Sequence, residues 1–80
     1  MKVTVLAFGH YRDLLPEPIQ IEVPPGTTPR GVAAQLGSTN AKLAGLDQHC
    51  RVAVNEEYSS FDTVLNFGDE VAFIPPMSGG

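Results

Sequence analysis

Four short stretches of the chain alternate apolar and polar residues, and one longer stretch repeats its apolar residues at helical spacing. The first, Lys2-Val3-Thr4-Val5-Leu6-Ala7-Phe8, is rich in β-formers. Its alternation sets Val3, Val5 and Ala7 on one face and Lys2, Thr4, Leu6 and Phe8 on the other. Lys2 predicts that the second set faces solvent, which leaves Leu6 and Phe8 as apolar residues on an outer face. Ile19-Gln20-Ile21-Glu22-Val23 alternates cleanly, with Ile19, Ile21 and Val23 inward, and reads as a half-buried strand. Between these two strands, residues 9–18 form a connection that begins at Gly9. Pro16 and Pro18 stop regular structure at its end, and Tyr11, Leu14 and Leu15 tuck against the domain.

Thr28 followed by Pro29 predicts a helix start, a capping hydroxyl before a proline at the first helical position. Val32, Ala33 and Leu36 share one face of that helix, and Gly37 is expected to end it in left-handed geometry. Gly31 inside the helix costs about 1 kcal/mol relative to Ala, so the helix must lean on tertiary packing. Ala41–Leu46 reads as a second short turn of helix, capped by Asn40 and burying Leu43 and Leu46. Arg51-Val52-Ala53-Val54-Asn55 is a third strand with Val52 and Val54 inward. Asn55-Glu56-Glu57 is a turn, after which Tyr58 opens a short return strand. A connection then carries Phe61 and Leu65 toward the core, and Gly68 takes a positive φ in a turn before the last strand. In that strand, Glu70–Ile74, alternation puts Val71 and Phe73 on one face and Glu70, Ala72 and Ile74 on the other.

Strand, strand, helix, then two or more strands is an α+β order. A mixed sheet of four to five strands with one main helix packed on one face is the economical way to bury a single core in 80 residues. This is the β-grasp, or ubiquitin-like, pattern. Residues 1–74 form the domain, and residues 75–80 form an extended, flexible tail ending in Gly-Gly. The uncovered face of the sheet carries Leu6, Phe8 and Ile74 together, which marks a binding surface.

Composition narrows the partners. The chain is 42% hydrophobic and 18% charged, with a formal net charge of −4 and a pI of about 4.8. That balance argues against nucleic acid and against an anionic membrane surface, both of which need clustered Lys and Arg. It suits a protein partner with a basic face. A single cysteine, Cys50, rules out an intrachain disulfide and fits a reducing compartment. No apolar run reaches membrane-spanning length and no signal-peptide pattern is present, so a cytoplasmic location is expected.

No catalytic constellation stands out. His10 and His49 are isolated, neither has metal-ligand spacing with Cys50, and Cys50 reads as a small buried hydrophobe. No metal site is predicted. Glu56-Glu57 and Asp69-Glu70 belong to turns, and Gly26 and Gly31 lack the Lys-Ser/Thr signature of a phosphate loop. The remaining reactive group is the α-carboxylate of Gly80. Pro75 and Pro76 stiffen the exit from the domain, and six extended residues reach at most about 20 Å. Gly79 and Gly80 leave a bare backbone able to thread a narrow channel. A carboxylate is a poor acyl donor at neutral pH, so it needs activation, which adenylation by ATP would supply.

The run Val54-Asn55, Phe61-Asp62, Leu65, Gly68-Asp69-Glu70-Val71-Ala72-Phe73-Ile74-Pro75-Pro76 and the closing Gly79-Gly80 resemble the small subunits of molybdopterin synthase. These form the MoaD branch of the MoaD/ThiS ubiquitin-like sulfur carriers. Val5-Leu6-Ala7-Phe8-Gly9 followed by Arg12-Asp13-Leu14 is similar to the family's first strand and the segment after it. The likeness is specific in the C-terminal third, while residues 27–50 match in pattern alone.

The resemblance implies that an E1-like adenylyltransferase of the MoeB type uses ATP to adenylate Gly80, and that a sulfur donor converts it to a thiocarboxylate. It implies a MoaE-like large subunit, in a heterotetramer, whose active site the tail completes. There the sulfur passes to cyclic pyranopterin monophosphate in molybdenum cofactor biosynthesis. Gly80 would then bear the sulfur carried covalently, with no cofactor bound by this chain, and acid–base groups would lie on the large subunit. Gly79 would give a slender approach. Ile74, Pro75, Pro76, Met77, Ser78, Phe8, Leu6 and Tyr58 would meet the partner. Three other readings share the fold: a thiamin-type or general sulfur carrier, a ubiquitin-like protein modifier joined to lysines through Gly80, and a plain interaction module.

Overall fold

The computed structural model describes residues 1–76. Five strands form one mixed sheet: β1 (Lys2–Ala7), β2 (Ile19–Glu22), β3 (Arg51–Val54), β4 (Glu57–Ser59) and β5 (Glu70–Ile74). Their spatial order is β2-β1-β5-β3-β4. β1 and β5 run parallel at the centre, and every other neighbouring pair is antiparallel. β1, β5 and β3, whose sequences are the more apolar, are paired along both edges. β2 and β4, which are more polar, take the edges, where exposed backbone is tolerated. The β-grasp architecture is as the alternation predicts, with the strand count resolved at five.

Helix α1 (Pro29–Thr39) lies on one face of the sheet. Thr28 caps it by accepting from the Gly31 N–H, and Pro29 occupies the first turn. Val32, Ala33 and Leu36 meet Val3, Val5, Val71 and Phe73 in the core. Phe73 is completely buried and stacks against Phe61 with ring centroids 6.3 Å apart. The connection from β4 to β5 laces across the start of α1: Arg30 N–H donates to the Phe61 carbonyl, and Leu65 N–H to that of Thr27. Arg30 also bonds both Asp62 carboxylate oxygens and reaches Asp47 at 3.3 Å. The Arg30 guanidinium holds the Asp62 carboxyl below its usual range, chiefly through that hydrogen bond.

Several local expectations are corrected. Gly37 does not end α1 in a left-handed conformation; the helix runs on to Thr39, and Gly37 is absent from the positive-φ residues. Its lack of a side chain serves packing instead, because a Cβ there would come 3.2 Å from the Ala44 Cα. The predicted single turn over 41–46 is two pieces. One is a 3₁₀ turn (Ala41–Leu43) capped by the Asn40 side chain, and the other is α2 (Leu46–His49), entered through Gly45 at φ +82°. Leu43 and Leu46 are both buried, as expected. Residues 9–18 begin with a 3₁₀ turn (Gly9–Asp13) that alternation could not signal. Ile19, Ile21 and Val54 are half-buried rather than sealed, since their strands lie at or beside an edge. Cys50 is likewise half-buried, because it lies at the surface end of α2 where the chain turns into β3.

Candidate functional site

Side chains on the helix-free face of the sheet follow from the strand register. Leu6 pairs with Ala72, Ala72 with Ala53, and Ala53 with Tyr58. One row across four strands therefore reads large, small, small, large. The two alanines form the floor of a trough, and Leu6 and Tyr58 form its walls. On the side of the β5 C-terminus, Ile74 pairs with Arg51, and Phe8 flanks the same hollow. On the other side Glu70 and Glu56 close it. The hollow measures about 280 Å³. Phe8 and Tyr58 are 44% and 67% exposed, so their apolar surfaces are available to a partner. Ala72, expected on this outer face, is there, yet it is only 6% exposed because its larger neighbours shade it.

The polar end of the trough is held by a side-chain clamp. Asn55 accepts from the Glu70 N–H at 3.0 Å and donates to Asp69 at 2.9 Å, while Asp69 accepts from the Asn66 N–H at 2.8 Å. Asn55 and Glu56 both have positive φ, +52° and +69°, in the tight β3–β4 turn. Asn tolerates that region better than most residues, and here the Asn55 amide is held by Glu70 and Asp69 rather than by its own turn. The carboxylates at 69–70 thus bracket a turn, as their sequence context predicts, and Asp69 is bonded into it.

At the opposite end the chain leaves β5. A second groove is lined by Arg51, Tyr58, Ile74, Pro75 and Pro76. The Arg51 guanidinium lies 5.9 Å from the Tyr58 ring centroid, within cation–π range. Of the site residues expected from sequence, the fold gathers Leu6, Phe8, Tyr58, Ile74, Pro75 and Pro76 on one face and its rim. Met77, Ser78, Gly79 and Gly80 lie outside the described residues. Sequence reasoning passed over Arg51, Ala53 and Ala72 as site elements. The alanines carried no chemical signal, and Arg51 becomes part of the rim only once β3 is placed beside β5.

Elsewhere the described residues offer little reactive chemistry. Burial pushes the Cys50 thiol up, which keeps it protonated at neutral pH and a weak nucleophile. No group of three or more His, Cys, Asp or Glu among the described residues could hold a metal ion. None of the described helices is long and apolar enough to cross a membrane.

Comparison with known proteins places this arrangement. The model of the ThiS family matches residues 5–80. The molybdopterin synthase sulfur carrier subunit of Mycobacterium tuberculosis is 39% identical, over 100% of this chain and 99% of that protein. A putative molybdopterin converting factor subunit 1 from Pyrococcus furiosus superposes with a TM-score of 0.80 at 29% identity, covering 96% of this chain and 99% of the other. A chain from the Helicobacter pylori complex of molybdopterin-converting factor subunits 1 and 2 superposes with a TM-score of 0.72 at 26% identity, covering 100% of both. With a family match over nearly its full length and a relative of this identity, the chain belongs to the ThiS/MoaD family of ubiquitin-like sulfur carriers.

Proposed function

We propose that the chain is the sulfur-carrier small subunit of a molybdopterin synthase. The observation that supports this most directly is the family match running through to Gly80 in a chain whose full-length relatives bear that name. The apolar trough and the prolines beside it supply what such a carrier needs: a docking face, and a chain that leaves the domain at its rim. In this reading an E1-like enzyme of the MoeB type seats the outer face. The Gly80 carboxylate attacks the α-phosphate of ATP and releases pyrophosphate. A sulfur donor displaces AMP and leaves a thiocarboxylate. The charged carrier then docks through the same face on a MoaE-like large subunit in the cytoplasm, and sulfur passes to cyclic pyranopterin monophosphate. Side-chain-free Gly79 and Gly80 let the backbone approach the nucleotide and the pterin closely. The carrier is a cosubstrate whose tail completes the partner's site, and it binds no cofactor of its own.

The test is coexpression with the activating enzyme and a sulfur source. Intact mass should show one oxygen exchanged for sulfur, and fragmentation should place it at Gly80. Deleting Gly80, or adding one residue after it, should abolish the exchange while the circular dichroism spectrum stays unchanged. Sulfur uptake that survives either change would sink the reading. Adducts linked through Gly80 to lysines would instead favour the protein-modifier class.

A further inference from the structure

Gly9 stands where β1 ends and the Gly9–Asp13 turn begins, with φ at +62°. A Cβ built there would lie 2.6 Å from Cγ of Pro75. Such a separation is far inside carbon–carbon contact, which is optimal at about 3.5–4.0 Å. Glycine is therefore demanded twice, by the left-handed backbone and by the proline ring against it.

Both sides of this contact are anchored. On the Gly9 side, the Phe8 N–H donates to the Phe73 carbonyl at 3.1 Å. The turn after Gly9 is fastened by buried Tyr11, whose carbonyl accepts from Leu14 and Leu15. On the other side, β5 is paired along both of its edges, up to Ile74 opposite Arg51. The Pro75 ring locks its own φ, so it cannot swing away cheaply. Pro76 follows along the groove beside Arg51 and Tyr58.

We infer that Gly9 is a positioning residue: by seating the Pro75 ring, it fixes the direction in which the tail leaves the domain. This rests on the sulfur-carrier reading, in which the outer face docks first and the tail must then enter a narrow channel. The lever is long. At the greatest reach that five residues can have, about 17 Å, a tilt of roughly 20° at Pro75 amounts to a displacement of about 6 Å. An error of even about 1 Å at a reacting centre can cost a hundredfold in rate. Gly9 itself touches neither the nucleotide nor the sulfur. Its loss should therefore spare docking and impair delivery.

The experiment uses the full chain and the E1-like enzyme, with ATP-dependent adenylation followed against carrier concentration. Gly9→Asn adds a Cβ, while Asn tolerates positive φ better than other side chains do. It is expected to lower kcat about tenfold, with KM changed by less than about twofold. Pro75→Ala removes the ring that the new Cβ would strike. In the double variant, kcat should recover to the level of Pro75→Ala alone. Melting curves of all three variants separate delivery from unfolding; should Gly9→Asn fail to fold, the double variant with Pro75→Ala is expected to fold, because the ring that the new Cβ strikes is gone. Unchanged kcat in Gly9→Asn, a rise in KM instead, or no recovery in the double variant would overturn the inference. A direct nuclear Overhauser contact between the Gly9 α-protons and the Pro75 ring is expected in the free wild-type chain, and its absence overturns the seat without reference to any enzyme. If the wild-type chain is not adenylated at all, the sulfur-carrier reading fails and the positioning role fails with it, whereas the Overhauser contact still reports on the seat.

Discussion

The two faces of the sheet are written by the same strands and obey different rules. On the helix side, β5 contributes Val71 and Phe73, both wholly buried, and their bulk fills the space beneath α1. On the open side the same strand contributes Ala72 and Ile74, and β3 contributes Ala53 opposite Ala72. The inner face is selected for volume, because a packed interior tolerates neither voids nor excess. The outer face keeps its centre small and its walls large, so it offers a shape that nothing in the described chain fills. Burial alone cannot tell these apart: Ala53 and Ala72 are each only 6% exposed, yet they floor the open trough. What separates them is register, since one step along β5 moves a side chain from core to trough.

That contrast can be broken by exchanging the kinds of damage done to each face. Phe73→Ala should show the largest loss of stability, about 3–5 kcal/mol in urea titration, through the cavity left beneath α1. In an 80-residue domain this is a large share of the whole, so the transition should approach the unfolded baseline. Ile74→Asp, one residue along, should cost less than about 1 kcal/mol of folding while weakening capture of the large subunit by about 2 kcal/mol or more. Isothermal titration set beside the urea curves checks both. Equal losses in folding and binding from Ile74→Asp would erase the distinction between the faces.

The smallest expected effect lies away from both faces, at the Arg30–Asp62 pair. The Asp62 carboxyl is lowered in the folded chain, so its contribution is present above the unfolded carboxylate value near 3.9 and fades as pH falls through the lowered folded value. Asp62→Asn should therefore be slightly less stable than wild type at neutral pH. The gap should close as pH drops below about 4, and it should shrink at high salt because the pair is exposed. Chemical denaturation across pH measures this, and a gap that widens in acid would reverse the assigned sign.

Much of this was legible in the residues. The alternation in residues 2–8 assigned Leu6 and Phe8 to an outer face, and 70–74 assigned Val71 and Phe73 to the core, because a period of two leaves only two choices and Lys2 settles one of them. Thr28-Pro29 marked the helix start through chemistry local to those residues. Gly37 misled, because glycine has more than one use. In sequence it reads as a stop, but in the fold its missing Cβ admits the Ala44 backbone.

The sequence by itself determined the strands, the start of the main helix and the sorting of apolar residues between the sheet's faces, since these follow from periodicity and from residues with special backbones. Only the tertiary structure decided that β5 enters between β1 and β3. That one placement pairs Ala72 with both Leu6 and Ala53, brings Arg51 beside Ile74, and sets Pro75 on Gly9. Residues 66 positions apart along the chain meet there, and nothing local in either could announce it. Strand order is fixed by the burial of the whole sheet against one helix, a collective quantity that no short stretch of sequence contains.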